Sequence, residues 1–276
     1  MAITAQEVNK LRQLTGAGMM DCKKALTETN ADFDEAVALL RKKGQKISAK
    51  RADKEATEGV VFFRQSSDQK FGVVLSLNCE TDFVAKNEEF ISLGNAMVDT
   101  AMEAKPASKD ELFNAQYNGR SFGEHVTDLM GKIGERIELS SMESLESECV
   151  VPYLHSNSKL GVLVGLNGTN GENVEEVGKD IAMQIAAMNP VALDKDGVDS
   201  TIIEKEVEIG KEQAREEGKP EAMLEKIAMG KLNKFFKENT LLNQQFVKDP
   251  SKTISQLLEG TVKGMTVSEF KRVSIA

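Results

Sequence analysis

The chain of 276 residues contains no tryptophan and only two tyrosines, two histidines and three cysteines. Without tryptophan and with so little tyrosine, a platform on which nucleic-acid bases stack is poorly supplied. Cys22, Cys79 and Cys149 are odd in number and lie far apart, which excludes a disulfide framework and a cysteine pattern for zinc. The formal net charge of −9 also argues against general nucleic-acid binding, because such binding needs basic side chains that neutralise phosphates.

Long apolar runs and catalytic motifs are missing as well. No stretch approaches the ~20 apolar residues that a membrane helix needs, and the N-terminus has no basic segment followed by an apolar block. We therefore expect a cytoplasmic protein that does not contact membranes. His125 and His155 lie far apart, and no nucleophile, phosphate-loop or metal-site motif occurs. The sequence thus predicts a binding protein with no catalytic residues, no cofactor and no metal site.

Residues 1–55 are expected to form a three-helix unit followed by a linker. Thr4 and Glu7 form a capping box before the first helix, and the segment from Thr15 to Gly18 breaks it. Asp32 is expected to cap a third helix that stops at Gly44. The basic segment 42–54 is interpreted as a solvated linker helix, with an RNA-binding patch as the alternative.

Two methionines at the start of the second helix allow two interpretations. Met19 and Met20 are adjacent, so both cannot easily point inward. Methionine usually fills a core but also recurs at binding surfaces, and we expect one of the two to be buried.

From residue 58 onward the sequence repeats itself. Three segments of the first copy match three segments of the second: Glu58–Val61 with Glu148–Val151, Phe71–Asn78 with Leu160–Asn167, and Ala96–Met102 with Ala182–Met188. Each copy therefore contains two strands and a helix, and two strands alone are marginal in water. We expect Arg136–Ser140 and Phe270–Ile275 to supply the third strands. The prediction is an α+β fold with a duplicated core of three-stranded sheets, each with helices on one side.

The two copies differ in the connection that follows the second strand. The first copy has the longer connection, which contains Thr81, Asp82, Phe83 and Val84, whereas the second has the polar turn Gly168–Gly171. Either Thr81 or Asp82 is expected to cap the following helix. Taken alone, Phe83 would be interpreted as a core residue. Because the equivalent corner has no aromatic residue, the duplicated fold does not require one, and this favours an exposed, functional Phe83.

An insertion interrupts the second copy. Residues 200–239 contain two amphipathic segments joined by a turn at Gly218, which predicts an antiparallel helical hairpin. The predicted domains are therefore 1–55, core repeat 1 at 56–146, core repeat 2 at 147–199 and 240–276, and the hairpin at 200–239.

Three long motifs resemble the bacterial elongation factor Ts family. They are TGAGMMDCKKAL (Thr15–Leu26), NCETDFVAKN (Asn78–Asn87) and GKLNKFFKENTLLNQQFVKDPSKTISQLL (Gly230–Leu258). The resemblance runs through essentially the whole chain. It implies a ubiquitin-associated-like N-terminal domain, a duplicated core and a coiled-coil hairpin. It also implies a guanine-nucleotide exchange factor for elongation factor Tu in the elongation step of protein synthesis.

The resemblance further implies which residues meet the partner. Thr81, Asp82, Phe83 and Val84 would lie against the GTPase domain of elongation factor Tu, where they disturb its Mg²⁺ and phosphate site so that GDP leaves. Met19, Met20 and Lys23 would form a second contact with that domain. The second repeat and the hairpin resemble surfaces that meet other parts of the partner.

Some family members continue into a C-terminal helical module, and this chain stops after Val273-Ser-Ile-Ala276, so nothing is inferred for that module. A homodimer or a 2:2 complex is compatible with the sequence. The alternative function is a non-catalytic adaptor that binds peptides through its ubiquitin-associated-like module.

Overall fold

The computed structural model describes residues 3–275 of the chain. Residues 1–2 and 276, at the ends of the first and last predicted domains, lie outside the described residues. The helices are α1 Ala5–Thr15, α2 Met19–Glu28, α3 Phe33–Arg51, α4 Asp82–Ala85, α5 Glu88–Ala104, α6 Lys109–Asn114, α7 Phe122–Ile133, α8 Glu175–Met188, α9 Ser200–Glu216, α10 Glu221–Asn239 and α11 Ile254–Thr261. The strands are β1 Glu58–Gln65, β2 Phe71–Cys79, β3 Gln116–Tyr117, β4 Arg120–Ser121, β5 Ile137–Glu146, β6 Cys149–Leu154, β7 Leu160–Asn167, β8 Gln245–Phe246, β9 Asp249–Thr253 and β10 Thr266–Ser274.

Helices α1 to α3 pack around a small core of their own. Val8 and Leu11 of α1 meet Cys22 and Leu26 of α2 in this core. The capping box of Thr4 with Glu7 is present, and α1 ends at Thr15 as predicted. Capping residues and the helical spacing of apolar residues therefore locate the three helices, apart from the end of the third.

The predicted end of the third helix at Gly44 is wrong, because α3 continues to Arg51. Gly44 lies where α3 crosses α7, and a Cβ on Gly131 of α7 would stand 2.8 Å from the Gly44 Cα atom. A Cβ on Gly44 itself would meet the Thr127 carbonyl oxygen at 3.2 Å. The glycine thus permits a close helix crossing and does not end the helix.

Each copy of the repeat forms an antiparallel sheet of three strands, which confirms the predicted fold class. The strand orders are β1-β2-β5 and β10-β7-β6, so the apolar strands β2 and β7 are central. The third strands lie where the sequence places them, although β5 extends to Glu146 and β10 begins already at Thr266. Helices α5, α6 and α7 cover one face of the first sheet, and α8 and α11 cover one face of the second.

The opposite faces of the two sheets pack against each other. Val61 and Val74 of the first sheet meet Val150, Leu163 and Val273 of the second in a separate buried cluster. This explains why every residue of β2 is buried, since one face meets helices and the other meets the second sheet. The resulting order of layers is helices, sheet, sheet, helices.

Backbone hydrogen bonds join the two repeats through their hairpin turns. The Val150 amide donates to the Gln69 carbonyl oxygen at 2.6 Å, and the Val61 amide donates to the Ser158 carbonyl oxygen at 2.7 Å. Each turn therefore supports the first strand of the other repeat.

The inserted hairpin consists of α9 and α10, as predicted, joined by a turn in which Gly218 has φ +73°. Gly210 of α9 packs on Ala228 of α10, where a Cβ on the glycine would lie 3.2 Å from the alanine Cβ atom. The last short helix, α11, is capped by Thr253. From the sequence, Ser251 is also a candidate cap for this helix, but it lies in β9 and its hydroxyl donates to the Asp249 carboxylate at 2.6 Å.

Within residues 3–275, no helix is both long and apolar enough to cross a membrane.

Candidate functional site

The corner that follows β2 places one large aromatic side chain in solvent. β2 ends at Cys79, and a single helical turn, α4, follows before α5 begins. Phe83 is 82% exposed, the largest exposed fraction among the large apolar side chains of residues 3–275. Its neighbour Val84 is 6% exposed and belongs to the core of the first repeat. The buried Val84 anchors the turn to the core, and the same turn presents Phe83 to solvent.

Thr81 does not cap this turn in the way the sequence predicts. It occupies the N-cap position, but its side chain accepts no hydrogen bond from the helix. The Thr81 hydroxyl instead donates to the carboxylate of Glu135 at 3.0 Å, and the Thr81 amide donates to the same carboxylate at 3.1 Å. Glu135 lies in the segment before β5, so a residue distant in the chain holds Thr81 in place, while the Thr81 side chain caps no amide of the turn.

Asp82 lies at the exposed start of the turn and makes no cap bond either. Its carboxylate accepts a hydrogen bond from the Lys86 ammonium group at 2.7 Å. This bond lowers the pKa of Asp82 below its usual value and raises the pKa of Lys86. The pair is solvent-exposed, so it contributes little to stability. It leaves a carboxylate next to Phe83 that stays ionised at neutral pH.

The thiol of Cys79, behind this surface, is buried. Its Sγ atom donates to the Thr81 carbonyl oxygen at 3.2 Å. Burial, which disfavours the thiolate, raises the pKa of Cys79 to about 12. The thiol is therefore neutral and serves as a packing group beneath the corner.

The equivalent corner in the second repeat presents no comparable side chain. Gly168 follows β7 and has φ +72°, and the chain continues to α8 without an intervening helical turn. The amides of Gly168 and Thr169 donate to the carboxylate of Glu148 at 2.8 and 3.1 Å. The duplicated fold therefore accommodates a polar turn without an aromatic residue at this corner, as the sequence comparison of the two copies suggested.

The three N-terminal candidates are all exposed on α2. Met19 is 54% exposed and Met20 is 73% exposed, so the expectation that one methionine fills the core is wrong. Cys22, Ala25 and Leu26 occupy the buried face of this helix instead. Lys23 is exposed on the same helix. The structure therefore places these candidates on α2, and Phe83 on the corner after β2, in two separate elements.

Sequence reasoning missed Glu135 and the helix before it. α7 has its own capping box at Ser121 and Glu124 and an apolar stripe that includes Phe122, Val126 and Leu129, so local signals for this helix exist. Nothing local indicates that Glu135 binds Thr81, since the two residues lie far apart in the chain. Among the described residues 3–275, no group of three or more histidine, cysteine, aspartate or glutamate side chains is placed to hold a metal ion.

Comparison with known proteins gives the family. The family model described as Elongation factor TS matches residues 80–276. The chain is 58% identical to elongation factor Ts of Cytophaga hutchinsonii over 275 residues, which cover 99% of both chains. It is 54% identical to elongation factor Ts of Amoebophilus asiaticus over 275 residues, covering 100% of this chain and 99% of the relative. The match thus spans the exposed Phe83 corner, both repeats, the hairpin and the N-terminal helices, and the chain belongs to the elongation factor Ts family of translation elongation factors.

Proposed function

We propose that this protein is a guanine-nucleotide exchange factor that acts in the cytoplasm on elongation factor Tu. It binds the GDP-bound partner, perturbs the site that holds Mg²⁺ and the phosphates, and promotes GDP release so that GTP enters. The protein contributes binding energy and performs no covalent chemistry. The observation that carries this proposal is the 82% exposure of Phe83 on a turn whose neighbouring residue, Val84, is buried.

An exposed aromatic side chain on a fixed turn is suited to this task. A side chain that enters a pocket of the partner without first becoming ordered keeps more of its binding energy. Asp82 supplies a charged group in the same helical turn. Exchange follows from thermodynamic linkage between two ligands of elongation factor Tu. If binding of this protein weakens the binding of GDP, then GDP weakens the binding of this protein by the same factor.

We propose that the remaining surfaces hold the partner while Phe83 acts. Met19, Met20 and Lys23 form a second contact with the GTPase domain, and their exposure on α2 supports this role. Surfaces of the second repeat away from the corner at Gly168–Gly171, together with the hairpin, contact other parts of the partner. The domain division 1–55, 56–146, 147–199 with 240–276, and 200–239 describes these units.

The test measures release of a fluorescent GDP analogue from purified elongation factor Tu. Substoichiometric amounts of the protein should accelerate release, and each molecule should act on many partner molecules. An adaptor would bind the partner and leave the rate of GDP release unchanged. That result would overturn the proposed function.

A further inference from the structure

Hydrogen bonds between two pairs of neighbouring residues hold the N-terminal side of the turn that carries Phe83. Glu80 and Thr81 precede the turn, and Glu135 and Arg136 precede β5. The Glu135 carboxylate accepts from the amide and the hydroxyl of Thr81 at 3.1 and 3.0 Å. In the reverse direction, the Glu80 carboxylate accepts from the Arg136 amide at 2.7 Å. We call this reciprocal set of bonds between Glu80-Thr81 and Glu135-Arg136 the clasp.

Glu80 and Arg136 of the clasp also contact the end of α3 and the residues just after it. The Arg51 guanidinium, at the last residue of α3, donates to the Glu80 carboxylate at 3.0 Å. The Arg136 guanidinium donates to the Lys54 carbonyl oxygen at 2.7 Å, and to that of Ala52. Glu80 is largely buried, with a side chain that is 16% exposed, so these charge-assisted bonds are only partly screened by water.

The equivalent corner of the second repeat has no such arrangement. There, Glu148 at the start of the second hairpin holds Gly168 and Thr169. The residues that precede the third strand are Gly264 and Met265, and the Gly264 carbonyl oxygen would lie 2.5 Å from a Cβ on Gly168. The duplicated fold therefore does not depend on the clasp, which occurs at the corner that carries Phe83.

A helical turn of four residues does not hold its conformation alone, because nucleation of a helix is unfavourable. The buried Val84 fixes the turn from inside, and the clasp fixes its N-terminal side. From these contacts we infer that Glu135 and Glu80 are positioning residues for nucleotide exchange, which keep the Phe83 turn in the conformation that binds the partner. This inference rests on the proposed function.

The decisive variant is Glu135→Ala, which removes the acceptor for both donors of Thr81. In this variant the conformation of the Phe83 turn that binds the partner is less populated. The apparent affinity for elongation factor Tu then falls in proportion to that population, while the bound complex keeps all its contacts. The half-saturating concentration of GDP-bound elongation factor Tu should therefore rise roughly five- to thirty-fold, with an unchanged maximal rate of GDP release. Amide hydrogen exchange should become faster in residues 80–87 and stay unchanged in the rest of the first sheet.

Two controls accompany this variant. Glu148→Ala removes bonds of the same kind at the equivalent corner and should leave the half-saturating concentration unchanged. Glu135→Gln keeps a side-chain oxygen that can accept from Thr81, and it should raise the half-saturating concentration less than Glu135→Ala does.

The outcomes separate this inference from the proposed function. If the wild-type protein does not accelerate GDP release, the proposed function fails and the inference fails with it. If wild type is active and Glu135→Ala keeps the wild-type half-saturating concentration, the inference alone is overturned. A lower maximal rate at an unchanged half-saturating concentration would also overturn it, since that result indicates a smaller amount of folded protein.

Discussion

Replacement of Phe83 by alanine tests whether its exposed ring drives recognition. A phenylalanine side chain that becomes fully buried removes roughly 150–250 Å² of surface from water. At about 25 cal/mol per Å², this sets an upper limit of about 4–6 kcal/mol. Because alanine keeps the Cβ atom and because ordering at an interface opposes binding, we expect a loss of about 2–3 kcal/mol. This corresponds to a fall of roughly 30- to 150-fold in exchange efficiency.

The same substitution should leave the fold intact. Phe83 is 82% exposed in the free protein, so its truncation should change the free energy of unfolding by less than about 0.5 kcal/mol. The assay compares release of fluorescent GDP from elongation factor Tu with the midpoint of chemical denaturation for each variant. Phe83→Leu keeps an apolar side chain and should fall between wild type and Phe83→Ala.

A control at the equivalent corner completes the comparison. Glu172 is exposed in the connection after β7. The Glu172→Ala variant should accelerate GDP release from elongation factor Tu as much as wild type does. The reasoning is refuted if Phe83→Ala matches wild type in GDP release at the same denaturation midpoint. It is also refuted if Glu172→Ala loses as much activity as Phe83→Ala.

Three further predictions concern buried contacts beneath the Phe83 turn and at the crossing of α3 and α7. Val84→Ala should lower the free energy of unfolding by roughly 2 kcal/mol, as measured by urea denaturation, because Val84 is 6% exposed in the core of the first repeat. Gly131→Ala should lower the melting temperature and increase protease cleavage between α3 and β1, because the new Cβ would lie 2.8 Å from the Gly44 Cα atom; an unchanged protease pattern would contradict the close crossing. The Cys79 thiol, whose pKa burial raises to about 12, should react with iodoacetamide at pH 8 much more slowly in the native protein than in urea. Since the native state holds this proton more tightly, stability should fall as pH rises from about 9 toward 12; equal thiol reactivity in both states would contradict this burial.

The glycine signals show where reasoning from local sequence fails. Gly16, in the left-handed region with φ +64°, ends α1 as the sequence predicts. Gly44 looks like an equivalent stop signal, but it lies in the middle of α3. What differs is the surroundings, because Gly44 meets Gly131 of α7, a residue far away in the chain. A glycine that permits a close crossing and a glycine that ends a helix are indistinguishable in the sequence alone.

Local sequence patterns define the main strands of both repeats and show that the core is duplicated. Apolar periodicity and the matched segments placed β1, β2, β6 and β7 and their third strands, because strands and helices follow from local spacing of apolar residues. The unequal corners of the two copies also indicated that Phe83 is not needed by the fold. How Phe83 is held depends on the tertiary structure. The packing of Val84, the face-to-face contact of the sheets and the bonds of Thr81 to Glu135 all join residues that are distant in the chain. Such contacts depend on how the elements come together in space, and no local pattern encodes them.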